Sequence, residues 1–356
     1  MSVSEFRRHP VSGEWAVVAS GRSKRPHHVV VEKNKPTPKK GCPFEEYGSI
    51  SHVEPLLSIS KNGTVLSGDR ARKDWFVQAI PNKFPAFVPD VDIKPHAVGP
   101  YTVRSGFGYH EVLIMREHTR HWRDYTKPEA TAIFTAYQMR YRDLSERKGI
   151  KYVSIFHNFG PDAGASIYHP HSQIMAIPVV PRDVRRSYRG SDQYFADTGR
   201  AVHTRLVGWE LKQGERIVYE NDTMVAYCPF ASRATFEVRI FPKRRVPDFG
   251  DASKQELADA GDALRHVMKQ LAGKLGNPSY NFFIHTAHCN DNACQTHYHW
   301  HIEIFPKVSI WAGFEVGTGI EIATVDPADA ARMLRTGKRA HARVKAAKPA
   351  RSGKKK

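Results

Sequence analysis

A chain that repeats its own landmarks must fold as two related units, and this one repeats them over most of its length. His157 and His285, His171 and His299, and Pro178 and Pro306 are each 128 residues apart. Around these points the alternating strand pattern of 105–115 recurs at 233–241, and a helical stretch at 127–147 recurs at 253–275. A short apolar strand at 152–157 recurs at 280–285, and each copy closes on a histidine-bearing strand, 169–178 and 297–306. The period is too long for a solenoid. The pattern predicts an α+β fold of two half-domains, antiparallel strands with a helix packed on each sheet, related by a pseudo-twofold axis.

The 356 residues suffice for two cores. Divisions are expected at 1–205 for the first half, 206–335 for the second and 336–356 for a tail. The net charge of +18 invites a nucleic-acid reading, but eleven basic residues and no acidic ones fall within 332–356. The basic tail is too polar to bury a core, so it is expected to be disordered and to bind polyanions only weakly. No apolar run is long enough to span a membrane, and the N-terminus has no signal-like apolar region. The four cysteines, Cys42, Cys228, Cys289 and Cys294, are too few and too irregular for a disulfide framework. A cytoplasmic protein is expected.

The chemistry concentrates in His169-Pro170-His171-Ser172-Gln173. On an extended segment the two imidazoles share one face, and the Gln173 amide lies two residues further along. The preceding loop, 158–166, carries glycines whose backbone N–H groups suit phosphate oxygens. A nucleophile, an orienting neighbour and an anion cradle together point to attack on phosphorus.

The second copy reads His297-Tyr-His299-Trp-His301, the first His-x-His-x-Gln. These strings resemble the histidine-triad superfamily, whose transferase branch carries glutamine at the third position. The duplication resembles the galactose-1-phosphate uridylyltransferase family, as do the opening at 7–26, Cys42-Pro-Phe, Pro81-Asn82-Lys83-Phe84-Pro85 and Trp311-Ala-Gly-Phe-Glu315-Val-Gly317-Thr318-Gly319. The resemblance implies two tandem histidine-triad-like half-domains, with His171 as the nucleophile that carries a nucleoside monophosphate and Gln173 as a donor to phosphate oxygen. A tautomer-fixing acceptor for the other His171 nitrogen is expected in the strand's backbone. Asn158, Ser166, Arg22 and Arg25 are expected at the phosphates. Asn82 and Phe84 match positions near base and ribose, although Phe84 reads equally well as core. Glu315, Gly317 and Thr318 match the sugar-phosphate segment.

A structural Zn²⁺ is implied at Cys42, Glu45, His118 and His169, with Glu45 standing where the family usually has cysteine. His285, His299 and His301 resemble a second metal site of some members, with Asp183 the nearest candidate for its carboxylate. Cys289 and Cys294 with His297 form either a further metal site or a polar loop. Sugar nucleotide and sugar 1-phosphate are the implied substrates and a homodimer the implied assembly. ADP-glucose or dinucleoside-tetraphosphate phosphorylase, with inorganic phosphate as acceptor, is the alternative. One departure bears on it: Ser309 stands near the place of a family lysine, with Lys307 the candidate to substitute for it. A non-catalytic nucleotide-binding regulator fits poorly with the intact His171 and Gln173.

Overall fold

The computed structural model describes residues 4–24, 34–45, 53–89, 94–288, 297–309 and 311–335. The first half comprises strands β1 (Glu5–Arg8), β2 (Trp15–Val18) and β3 (Leu57–Ile59), helix α1 (Gly68–Lys73), β4 (Val77–Pro81), β5 (His96–Val98), β6 (Tyr101–Val103), β7 (Tyr109–Met115), α2 (Lys127–Ser145), β8 (Tyr152–Phe159) and β9 (His171–Ile177). Helices α3 (Arg182–Thr198) and α4 (Val202–Gln213) lead into β10 (Ile217–Glu220), β11 (Met224–Tyr227), β12 (Val238–Pro242), α5 (Lys254–Leu275), β13 (Tyr280–His285) and β14 (His301–Pro306). The described chain ends with α6 (Gly313–Thr318), β15 (Ile322–Ala323) and α7 (Pro327–Leu334).

The two halves share one sheet. Ten antiparallel strands run in the order β10-β11-β12-β14-β13-β8-β9-β7-β4-β3. Outward from the β8–β13 seam the halves repeat one another, β8-β9-β7-β4-β3 on one side and β13-β14-β12-β11-β10 on the other. The seam register sets Ile155 opposite Ile284, and the pseudo-twofold axis passes through that pair.

The repeat is not uniform, however. Gln173 lies opposite Phe156 on β8, whereas its counterpart His301 lies opposite His285 on β13. Phe156, not His157, is therefore the structural equivalent of His285, and the even spacing of the histidines is coincidental at this strand. A one-residue slip moves a side chain to the other face of a sheet. His157 accordingly stacks on Phe282 at 5.1 Å in the core, while His285 lies on the opposite face beside His301, 5.1 Å between ring centres.

Both long helices cover one face. Thr126 and Glu129 form a capping box at the start of α2, and Ser253 and Glu256 form one on α5. The helices cross so closely that a side chain at Gly261 would place its Cβ 2.9 Å from the Ala130 carbonyl carbon, so glycine is required there. Beneath them Leu113, Ile155, Ile174, Ile284, Ile302 and Ile304 are essentially solvent-free and form one continuous core. The far face is divided. Helix α4 covers the second half, packing Val207 on Val225, Tyr227 and Phe241. In the first half, Ile80, Val112 and Ile114 sit under Leu66, Trp75 and Phe44, and the site lies beside them. Among the described residues no helix is long and apolar enough to cross a membrane.

Candidate active site

β9 begins at His171, so His171 and Gln173 project from the far face while Ser172 turns toward the helices. The Ser172 hydroxyl lies 2.6 Å from Tyr137 Oη on α2 and 3.0 Å from His157 Nδ1 on β8. These bonds hold the strand segment that carries the reactive side chains. His171 Nδ1–H donates to the His169 carbonyl at 2.8 Å, as expected for a backbone acceptor, and this leaves Nε2 with a free lone pair. Burial lowers the His171 pKa, so the ring is neutral and nucleophilic at physiological pH. Phe44 packs on it with ring centres 5.1 Å apart.

Two amides stand on the same face as this nitrogen, Gln173 on β9 and Asn158 on β8, and each has its carbonyl engaged by the protein. His110 Nε2 lies 2.8 Å from Gln173 Oε1. Asn281 Nδ2, from the second half, donates to Asn158 Oδ1 and to the Ala163 carbonyl, both at 2.8 Å. The NH₂ groups of Gln173 and Asn158 are thus left for a ligand. His110 and Asn281 were missed in the sequence because they sit on neighbouring strands. The available signal was parity, since His110 alternates in phase with Val112 and Ile114. The glycine loop behaves differently from expectation. Its Ala163, Gly164 and Ala165 N–H groups all bond to carbonyls of the loop itself, so they shape the loop rather than face a phosphate. Ser166 is exposed.

Three of the four expected metal ligands, Cys42, His118 and His169, converge, and Glu45 lies beside the two histidines. His118 Nδ1 lies 3.0 Å from Glu45 Oε1 and 3.2 Å from His169 Nδ1. Cys42 Sγ lies 3.6 Å from the same His169 nitrogen. The remote nitrogens are tied down, His118 Nε2–H to the Thr37 carbonyl at 2.8 Å and His169 Nε2–H to the Met115 carbonyl at 2.7 Å. Both Nδ1 lone pairs therefore point inward, and the carbonyls behind the rings hold them in the orientation a metal would need. Glu45 Oε1 is buried without a hydrogen-bond donor, so an S, O, N, N donor set fits one Zn²⁺. Burial raises the Cys42 pKa, with Glu45 adding to it.

The second cluster differs from the expected one. His285, His301 and Glu303 come together, with each histidine Nε2 3.4 Å from a Glu303 oxygen. His299 stands outside this group, with its Nε2–H donating to the Arg244 carbonyl at 3.1 Å. Asp183 is exposed on α3 and takes no part. Arg239 already pairs with Glu303 at 3.0 Å. Burial opposes ionisation of Glu303, yet Arg239 and His285 hold its pKa well below the usual carboxylate value. A divalent ion here would have to face the Arg239 cation, which the first cluster does not ask of it.

Other expected residues lie further out. Asn82 touches His110 Nε2 at 3.0 Å, and its Oδ1 accepts from Phe84 N–H at 2.9 Å. Phe84 is 81% exposed, which rules out its reading as core. Arg22 lies in a 3-10 turn at Ser20–Lys24 with its Nε buried and unpartnered; Arg25, Cys289, Cys294 and the tail lie outside the described residues. Glu315 caps its own short helix and Thr318 bonds to the Phe314 carbonyl. This segment has no buried residue and exposes Trp311, Phe314 and Val316. Beside the metal turn a cavity of 580 Å³ is lined by Phe44, Val53 and Trp75 together with Arg72, Arg116, Glu45 and Glu117.

One half-site with His-x-His-x-Gln on a duplicated sheet defines an enzyme of the histidine-triad nucleotidyltransferase and phosphorylase class. The model for the galactose-1-phosphate uridyl transferase N-terminal domain matches residues 1–181, and a domain of unknown function (DUF4921) matches residues 108–351. The chain belongs to the galactose-1-phosphate uridylyltransferase-like family. It is 31% identical over 337 residues to ADP-glucose phosphorylase of Arabidopsis thaliana, covering 93% of this chain and 92% of that one. It is 26% identical over 341 residues to galactose-1-phosphate uridylyltransferase of Thermotoga maritima, covering 93% and 98%. The crystal structure of the Arabidopsis ADP-glucose phosphorylase with bound ADP-glucose matches with a TM-score of 0.79 at 28% identity, covering 94% of this chain and 100% of that one. A uridylyltransferase structure matches with a TM-score of 0.70 at 25% identity, covering 93% and 97%.

Proposed function

We propose that the protein transfers a nucleoside monophosphate from a sugar nucleotide to a phosphate acceptor through a covalent nucleotidyl-His171. The observation that carries this reading is the His171–His169 carbonyl bond, which presents a neutral Nε2 on the open face beside Gln173. Nε2 attacks the α-phosphorus, an N–P bond forms, and the P–O bond to the sugar 1-phosphate breaks with its electron pair leaving on oxygen. The imidazole becomes cationic, and the His169 carbonyl stabilises that charge through Nδ1–H. Gln173 and Asn158 donate to the non-bridging oxygens. An oxygen of the second phosphate then displaces the nitrogen and restores neutral His171. Gln173 carries no transferable proton, which favours phosphate over water as acceptor.

Two acceptors fit, each with its own support. Hexose 1-phosphate, with galactose-1-phosphate uridylyltransferase activity the leading form, is supported by the resemblance of the Glu315–Thr318 segment to the family's sugar-phosphate loop. Inorganic phosphate is supported by the likeness to ADP-glucose phosphorylase. The Zn²⁺ set of Cys42, Glu45, His118 and His169 would have a structural role, since His169 is both a ligand and the carbonyl that orients His171. The exposed apolar side chains of α6 favour a homodimer in which that segment meets a second copy. The halves at 1–205 and 206–335 would then act as a catalytic and a supporting unit in the cytoplasm. A single-turnover experiment tests the whole reading. Labelled UDP-glucose or ADP-glucose should charge His171, and the isolated adduct should then be discharged with hexose 1-phosphate or inorganic phosphate. Absence of any adduct would refute it; the faster acceptor decides between the two forms.

A further inference from the structure

We infer that His110 is a positioning residue that sets the direction of the Gln173 amide and couples it to the loop at 82–86. The inference rests on Gln173 acting as the phosphate-side donor. Three contacts define the His110 ring. Ala86 N–H points at Nδ1 from 3.1 Å, and a backbone amide only donates, so Nδ1 must hold its lone pair. In a neutral ring the proton is then on Nε2. Nε2 lies 2.8 Å from Gln173 Oε1, and its N–H is bonded there only when the Gln173 amide presents its carbonyl. The Gln173 NH₂ is therefore directed away from His110, into the site. The amide nitrogen of Asn82 also lies 3.0 Å from Nε2, but its carbonyl is taken by Phe84 N–H, so Asn82 offers no acceptor there and the Nε2–H is satisfied through Gln173 Oε1.

The consequence is a link between two parts of the site. Asn82, Phe84 and Ala86 belong to the loop that follows β4, and Gln173 belongs to β9; His110 on β7 lies between them. If that loop moves, Ala86 N–H leaves Nδ1, the tautomer is no longer fixed, and Gln173 can turn its carbonyl toward the phosphate. Glutamine at this position has two orientations of nearly equal shape, and only one supports transfer. A histidine in the family's third position would not need such a partner, since its donor is fixed by protonation.

The two nitrogens of His110 can be tested separately. His110→Asn keeps an oxygen near the Nδ1 position for Ala86 N–H and loses the reach to Gln173. His110→Gln places a donor NH₂ near the Nε2 position and restores that reach. Charging of His171 by UDP-glucose or ADP-glucose should slow about 10- to 100-fold in His110→Asn, the effect of one charge-assisted hydrogen bond. Sugar-nucleotide Kd should stay within about threefold, and His110→Gln should recover most of the rate. In a Gln173→Ala background His110→Asn should cost little more, because the partner it orients is gone. Histidine ¹⁵N NMR of the full-length protein, with His110 assigned from the His110→Gln spectrum, should show Nε2 protonated and Nδ1 bare. An Nδ1-protonated His110, equal slowing by both substitutions, or additive losses with Gln173→Ala would each overturn the inference. Failure of the wild-type protein to form any adduct would instead overturn the transfer reading, with the NMR result standing apart from it.

Discussion

Asn281 stands on β13 in the second half, yet both hydrogens of its amide act on the first. Replacing it with alanine removes the bonds to Asn158 Oδ1 and the Ala163 carbonyl, each 2.8 Å long. At about 1 kcal/mol per half-buried neutral bond, Asn281→Ala should destabilise the protein by about 2 kcal/mol. Asn158 would then be free to turn, so charging of His171 should slow by about three- to tenfold, as an oriented donor is only partly lost. Asn281→Asp is the sharper test because it keeps the shape and sets a carboxylate against two oxygens. The Asn158 amide must rotate to satisfy that carboxylate, and its own oxygen then faces the phosphate. One charge-assisted hydrogen bond becomes a repulsion, so charging should fall by about 100-fold or more. Rapid-quench single turnover measures the rate, and thermal melts of the same samples report stability. If the aspartate variant charged as fast as the alanine variant, Asn281 would be a structural contact only and Asn158 would not donate to phosphate.

Four further outcomes are expected. His171→Ala should abolish the nucleotidyl adduct, whereas His299→Ala, whose ring is bonded to the Arg244 carbonyl, should still form it; intact-mass and peptide spectra locate the label. Protein purified without added metal should carry about one zinc per chain, and Cys42→Ser with His118→Ala should lose both that metal and several degrees of Tm; unchanged content in elemental analysis would exclude the ligand set. Arg239→Met should destabilise by about 3–5 kcal/mol, because Glu237 and Glu303 lose the cation they share in the buried cluster, and urea melts should show it. Burial, opposed by bonds from Gly250 N–H and Tyr141 and modulated by Asp251 and Arg142, raises the Asp248 pKa to about 6. A pKa above the unfolded value means the folded state binds the extra proton, so this group's contribution is full below about pH 4 and is lost as pH rises through about 6. Asp248→Asn should therefore gain stability relative to wild type between pH 4 and 7, by roughly 2–3 kcal/mol; a flat difference across that range would contradict the assignment.

Much of this was legible in the sequence. The recurring helical stretches at 127–147 and 253–275 marked both long helices, and the His-x-His-x-Gln string marked β9, because each signal is local and covalently spaced. The Cys42–His169 set came from resemblance, and the geometry brings Cys42, His118 and His169 together with Glu45 beside the two histidines. What failed was positional arithmetic. His157 and His285 share a spacing with their neighbours, but the loop lengths hide a one-residue change in strand register that sends the two rings to opposite faces. Glu303 was overlooked for a related reason, since cross-strand pairing with Arg239 and proximity to His285 depend on register that sequence spacing does not encode. His110 and Asn281 act through hydrogen bonds across strands, and side-chain direction there is settled only once neighbours are placed. The glycine loop illustrates the opposite error, for a composition that suits an anion also suits a turn bonded to itself.

The seam between β8 and β13 also governs how the chain can be made. β8 is finished by residue 159, but the strand that pairs with it begins at residue 280. At about 5–20 residues per second, a ribosome needs roughly 6–25 seconds to deliver that partner. Throughout that interval the nascent first half presents β8 as a bare edge, its N–H and C=O groups open to any other strand in reach. The first half is thus the half that must wait, exposed to aggregation and to chaperones, while the second is born with its partner edge already in place. A truncation before residue 280 should leave an aggregating fragment rather than a smaller enzyme, and selection on the second half is then selection for the solubility of the first.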